Sequence, residues 1–201
     1  MAPTPLSINV RKRPRQARSA ATVETILEAA ARILETKGLG GFTTNAIAEK
    51  AGVSVGSLYQ YFPTKEAVLT MLIRRKREAL IAALESARVG ACHCELRSMV
   101  DGFIRAALAH QLERPKLIQC LEYAEMTLPI DTETESLKRS IISIVADALK
   151  THGIAEPETT ARDLSALVRG LADASGVFGE PHLASLDHRV RRAVYGYLGI
   201  G

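Results

Sequence analysis

The stretch AGVSVGSLYQYFPTKE, residues 51–66, decides the fold. Gly52 supplies the left-handed backbone of a tight turn, where a Cβ would clash. Ser54 can cap a new helix by accepting from an orphan N–H, and Pro63 ends that helix. Val53 plugs the angle between the helix before the turn and the helix after it, which makes a helix-turn-helix candidate. On a wheel of about 100° per residue with Leu58 inward, Phe62 falls near 40° and Val55 near 60°. Gly56 falls at about 160° and Gln60 at about 200°, with Ser57 and Tyr59 about 100° to either side. The outward strip is thus Gly56, Ser57, Tyr59 and Gln60: small, hydroxyl, phenol and amide. It holds no carboxylate to repel phosphate, and its donors and acceptors suit base edges in a major groove.

Upstream, Val23, Ile26, Leu27, Ala30, Ile33 and Leu34 recur at helical spacing, with Ser19 or Thr22 as cap and Gly38 as stop. Phe42 then precedes two candidate N-caps, Thr43 and Thr44, and is placed to act as a hydrophobic staple. The short helix they open turns Ile47, Ala48 and Ala51 inward. Downstream, Thr64 can cap a long helix with Glu66 in its first turn and Leu69, Leu72, Ile73, Lys76 and Leu80 on one side, ending at Gly90.

The chain has 201 residues, 47% of them hydrophobic, which is enough for one sizeable core or a small domain joined to a larger one. No apolar run approaches the ~18 residues of a membrane span. The basic N-terminus lacks the apolar stretch of a secretory signal. Three cysteines, Cys92, Cys94 and Cys120, argue against a disulfide framework and for a reducing setting. The net charge of +4 is uneven: residues 1–88 hold 14 Lys and Arg against 7 Asp and Glu, and the remaining residues hold 12 against 15. A basic N-terminal part points to a polyanion, although charge alone does not say which. The turn, the uncharged strip and the basic surroundings together favour DNA.

The segment FTTNAIAEKAGVSVGSLYQYFPTKEAVL, residues 42–69, resembles the DNA-binding signature of the TetR family of transcriptional regulators. The similarity covers about residues 22–70. It implies an all-α protein: a three-helix DNA-binding domain, then a larger helical domain that binds an effector and dimerises through its last two helices. It further implies a palindromic operator, release by a small molecule, a cytoplasmic bacterial protein, and no catalytic residues or cofactor. By position, Thr44 and Asn45 open the helix that meets the backbone and groove edge. Val55, Gly56, Ser57, Tyr59, Gln60 and Tyr61 occupy the recognition-helix contacts, and Lys65 matches a phosphate-binding lysine. The domain division drawn from this is a flexible basic arm over 1–18, the helix-turn-helix domain over 19–66 and the effector and dimerisation domain over 67–201.

Beyond Gly90, further helices are expected from about Glu95 to Leu112, Pro115 to Leu128 and Thr132 to Thr151, then two flanking a break at Gly179–Pro181. The last two carry broad apolar stripes with small residues, which fit either packing within the chain or a dimer interface through Leu167, Leu171, Ala174, Val190 and Val194. Glu125 shares a helix face with Leu117, Leu121 and Leu128. Such a carboxylate needs a partner within the fold, or it faces an effector in an apolar pocket whose wall would include Phe103, Ile104, Leu108, His110 and Ile141. The run Arg74-Arg75-Lys76-Arg77 points four ways around a helix, which reads as a solvated surface. The arm residues Arg11-Lys12-Arg13-Pro14-Arg15 either enter a minor groove or add only non-specific affinity. Cys92-His93-Cys94 lacks zinc-site spacing, so no metal is expected. The five histidines are scattered and no catalytic constellation accompanies them. Two partners are therefore expected besides a second copy of the chain: double-stranded DNA and a small effector, with no membrane. The alternative is a DNA-binding regulator without a ligand, acting through protein partners.

Overall fold

The computed structural model describes residues 17–90, 94–129, 131–177 and 183–200. Among them the chain is all-α, with no strand. The helices are α1 (Ala17–Lys37), α2 (Thr44–Ala51), α3 (Val55–Tyr61), α4 (Lys65–Gly90), α5 (Leu96–Glu113), α6 (Pro115–Glu125), α7 (Thr132–Thr151), α8 (Pro157–Val177) and α9 (Leu183–Leu198). A single 3₁₀ turn, Leu39–Gly41, bridges α1 and Phe42. Helix α7 has the bounds expected from its periodicity. Helix α6 stops short of Leu128, because the amides of Thr127 and Leu128 and the Thr127 hydroxyl all donate to the Ala124 carbonyl and close a turn there. Ala17 and Arg18, expected in the arm, are helical. The rest of the arm, Cys92, His93 and the Gly179–Pro181 break lie outside the described residues.

The chain divides into two compact units. One runs through Lys76 and adds Lys116–Thr134; the other comprises Arg77–Pro115 and the chain from Glu135 onward. The first is built on Ile26, Leu27, Leu34, Phe42, Ile47, Leu58, Phe62 and Ile73, all 3% exposed or less. Leu117, Leu121 and Ala124 of α6 join this core, so the stripe that carries Glu125 packs with α1 to α4 and not with the later helices. The Cys120 thiol donates to the Leu34 carbonyl at 3.5 Å, and burial pushes the thiol above its ordinary pKa.

The basic run on α4 is not a solvated surface. Arg74 and Arg77 are each 7% exposed. Arg74 pairs with Asp131 and, at 3.2 Å, with Glu133, and its Nε donates to the Thr134 hydroxyl at 2.9 Å. Arg75 pairs with Glu24 of α1, and Lys76 with Glu122 of α6 at 3.1 Å. Pointing in different directions is what lets neighbouring cations meet different helices.

The second unit packs Leu84 of α4 with Met99, Val100, Phe103, Ile104 and Leu108 of α5, Leu149 of α7, Ala161 and Leu164 of α8, and Leu186, Val190 and Val194 of α9. Helix α8 lies against both α5 and α9. Arg191 of α9 donates to Asp187 at 2.7 Å and to Asp101 of α5, which also accepts from the Tyr195 hydroxyl. Val190 and Val194, expected in a dimer interface, are 0% and 2% exposed and belong to the core of this unit.

Candidate nucleic-acid interface

Local hydrogen bonding builds the α2–α3 pair. Thr43 caps α2 by accepting from the Ala46 amide at 3.1 Å. At the other end Gly52 takes φ 67°, the left-handed conformation that only glycine enters without penalty. The amide of Val53 returns to the Ala48 carbonyl at 3.0 Å and closes the turn. Ser54 caps α3, its hydroxyl oxygen accepting from the Ser57 amide at 3.0 Å. Leu58 and Phe62 are fully buried and fix the rotation of α3 about its axis. Thr64 then caps α4 through the Ala67 amide at 3.1 Å.

That rotation leaves Gly56, Tyr59 and Gln60 exposed and Ser57 half-buried. Ser57 Oγ lies 2.8 Å from Ser54 Oγ, so part of its hydrogen-bonding capacity serves the cap. The Tyr59 hydroxyl lies 3.3 Å from Thr44 Oγ1, a link between α3 and the first residue of α2. Asn45 is exposed beside it. Val55 and Tyr61 differ from the rest: both are half-buried and pack against the core, which leaves only their edges available.

Two positions have no explanation among the described residues. A Cβ on Gly56 would meet nothing nearer than the Ser54 hydroxyl at 3.9 Å, so packing does not require a glycine there. Lys65 is exposed in the first turn of α4, where a cation opposes the helix dipole. Both choices make sense toward an external anionic surface that approaches α3 closely. Helix α3, VGSLYQY, carries no charged side chain of either sign.

The sites expected in the C-terminal half are less unified. Phe103, Ile104 and Leu108 are buried in the core of the second unit, with His110 and Ile141 half-buried in the same unit. Glu125 is half-buried in the first. Leu167 and Leu171 line an open groove of about 510 Å³ with Asp163, Ala166, Gly170 and Tyr197, whose hydroxyl donates to Asp163. Ala174 is half-buried one turn on from Gly170. What sequence reasoning missed is the set of acids and hydroxyls that meets Arg74. Asp131 caps α7 through the Thr134 amide, and nothing local marks it as the partner of an arginine 57 residues upstream.

Two family models match the chain: the bacterial regulatory proteins of the tetR family over residues 26–71, and the tetracyclin repressor-like C-terminal domain over residues 95–198. The chain belongs to the TetR family. Like other TetR-family regulators it is a DNA-binding transcription factor and not an enzyme. It is 27% identical over 194 residues to the HTH-type transcriptional regulator EthR of Mycolicibacterium smegmatis, covering 88% of this chain and 87% of EthR. It is 30% identical over 102 residues to the HTH-type transcriptional repressor KstR of the same organism, half of each chain. A TetR-family transcriptional regulator from Streptomyces coelicolor has the same fold, with a TM-score of 0.67 at 18% identity over 89% of this chain and 98% of that one. No helix among the described residues is long and apolar enough to cross a membrane.

Proposed function

We propose that this TetR-family regulator is a repressor that binds a palindromic operator as a homodimer and leaves it when a small molecule binds. The observation that carries the DNA-reading part is the exposed, uncharged strip Gly56, Tyr59 and Gln60 on a short helix whose rotation two buried side chains fix. Gln60 offers a donor and an acceptor on one amide, which matches adenine N6 and N7. Thr44, Asn45, Tyr59 and Lys65 supply hydroxyl, amide, phenol and ammonium groups for phosphate oxygens, which position the helix without reading sequence.

The groove along Leu167, Gly170 and Leu171 supports the dimer. Gly170 and Gly196 are exposed, and a Cβ on either would meet no atom within 4 Å. The chain's own packing therefore does not call for these small residues, whereas close approach of a second copy would. Repression accords with the similarity to KstR, itself named a repressor. An effector that favours a separation of recognition helices unlike the ~34 Å repeat of successive major grooves would release the DNA. Phe103, Ile104, Leu108, His110, Glu125 and Ile141 are the residues to vary in locating its site. These activities place the protein in the cytoplasm, with DNA.

Selection of bound sequences from a random duplex pool tests the reading, repeated in the presence of candidate effectors. A twofold-symmetric motif that one compound abolishes is the expected result. Recovery of no symmetric motif would refute the homodimeric, palindromic reading.

A further inference from the structure

Ser54 Oγ meets Ser57 twice. It accepts from the Ser57 amide at 3.0 Å, and it lies 2.8 Å from Ser57 Oγ. The first bond is the cap of α3. The second joins two hydroxyls, and by distance alone it can run either way. The direction matters, because each hydroxyl has one proton and two lone pairs. If Ser57 donates, its proton is used inside the protein and it faces outward as an acceptor. If Ser54 donates, Ser57 keeps its proton and faces outward as a donor.

The cap favours the second arrangement. An oxygen that already accepts from an N–H is polarised toward giving its own proton onward, since hydrogen bonds that run in one direction strengthen one another. The chain of bonds then runs from the Ser57 amide to Ser54 Oγ, from Ser54 to Ser57 Oγ, and from Ser57 outward. The surroundings leave that last step open. Ser54 is exposed and Ser57 half-buried, and Leu58, 0% exposed, fixes the direction in which its neighbour points. Gly56 has no side chain to cover the pair: the nearest atom to a Cβ there would be Ser54 Oγ itself, at 3.9 Å.

We propose that Ser54 is a positioning residue that sets base specificity: it donates to Ser57 Oγ and so commits the Ser57 hydroxyl to act as a donor in the major groove. Its target is then an acceptor on a base edge, guanine O6 or thymine O4, and not the amino group of adenine or cytosine. This rests on the reading of α3 as the DNA-reading helix.

The test selects bound sequences from a random duplex pool with the full chain and its variants. Ser54→Asn keeps a good cap, but its amide oxygen only accepts, so the Ser57 proton turns inward and Ser57 faces the DNA as an acceptor. Ser54→Thr keeps both a cap and a proton to give. Ser57→Ala removes the reading group. For the wild type and Ser54→Thr, one base position in each half-site should favour guanine or thymine by about 2- to 10-fold, the reach of one neutral hydrogen bond. Ser54→Asn should move the preference at that position to adenine or cytosine, and Ser57→Ala should abolish it, with the other positions unchanged. If Ser54→Asn fails to fold, Ser54→Gly serves, since glycine caps at little cost and leaves the Ser57 hydroxyl free to rotate; the preference should then relax. A purely structural role for Ser54 would lower affinity for all sequences alike and leave the motif as it is, and that result overturns the proposal. So does an unchanged motif for Ser57→Ala. If the wild type selects no motif, the reading of α3 falls and this inference with it; a wild-type motif that keeps its preference in Ser54→Asn, or in Ser54→Gly where that variant stands in, overturns this inference alone.

Discussion

Lys65 and Arg74 stand on the same helix, and either could be taken from the sequence for a surface cation. Lys65 is exposed beside a strip with no charge of its own. Arg74 is 7% exposed and surrounded by Asp131, Glu133 and Thr134. Among the described residues the first has no ion-pair partner, which leaves it to meet an anion outside the protein. The second is consumed by the fold. A basic residue near a DNA-reading helix is therefore evidence for a phosphate contact only after its internal partners have been counted.

The comparison predicts opposite consequences for stability and binding. Arg74→Ala strands the Asp131 carboxylate in a half-buried site and should lower the unfolding free energy by about 3–5 kcal/mol, read from the urea midpoint at constant slope. A loss below about 1 kcal/mol would put the pair in the class of exposed ion pairs and erase the distinction. Gly52→Ala forces a Cβ into the left-handed region and should cost about 1–2 kcal/mol in the same assay. Gly56→Ala is the counterpart: the added methyl meets open space and replaces a poor helix former, so stability should hold or rise by up to about 1 kcal/mol while DNA binding falls. Retained affinity would show that the backbone of α3 does not approach the bases closely. Lys65→Ala removes a cation that opposes the α4 dipole, so thermal stability should hold or rise slightly, while the log–log salt dependence of DNA binding flattens by about one unit. An unaltered slope would remove Lys65 from the phosphate contacts.

Local signals made the α2–α3 region legible. Each device there works within a few residues: Thr43 on Ala46, Gly52 at the turn, Ser54 on Ser57, Thr64 on Ala67. Periodicity placed Leu58 and Phe62 inward and Gly56 and Gln60 outward, as observed. Contacts at long range were not legible. Nothing local tells that Leu117 and Leu121 pack beneath α1 and not among the later helices, or that Val190 and Val194 close a core while Leu167 and Leu171 border a groove. An apolar stripe specifies that a face is buried, not against what. The same holds for charge: Arg75 finds Glu24, and Lys76 finds Glu122, across 51 and 46 residues of sequence.

The central claim is that the outward strip of α3 reads bases. Bound-sequence selection with wild type and Gln60→Ala side by side tests it most directly. The account predicts the same overall motif for both, with the mutant losing preference at one base position per half-site, worth about 1–3 kcal/mol of discrimination there. Identical motifs of equal stringency at every position would contradict it.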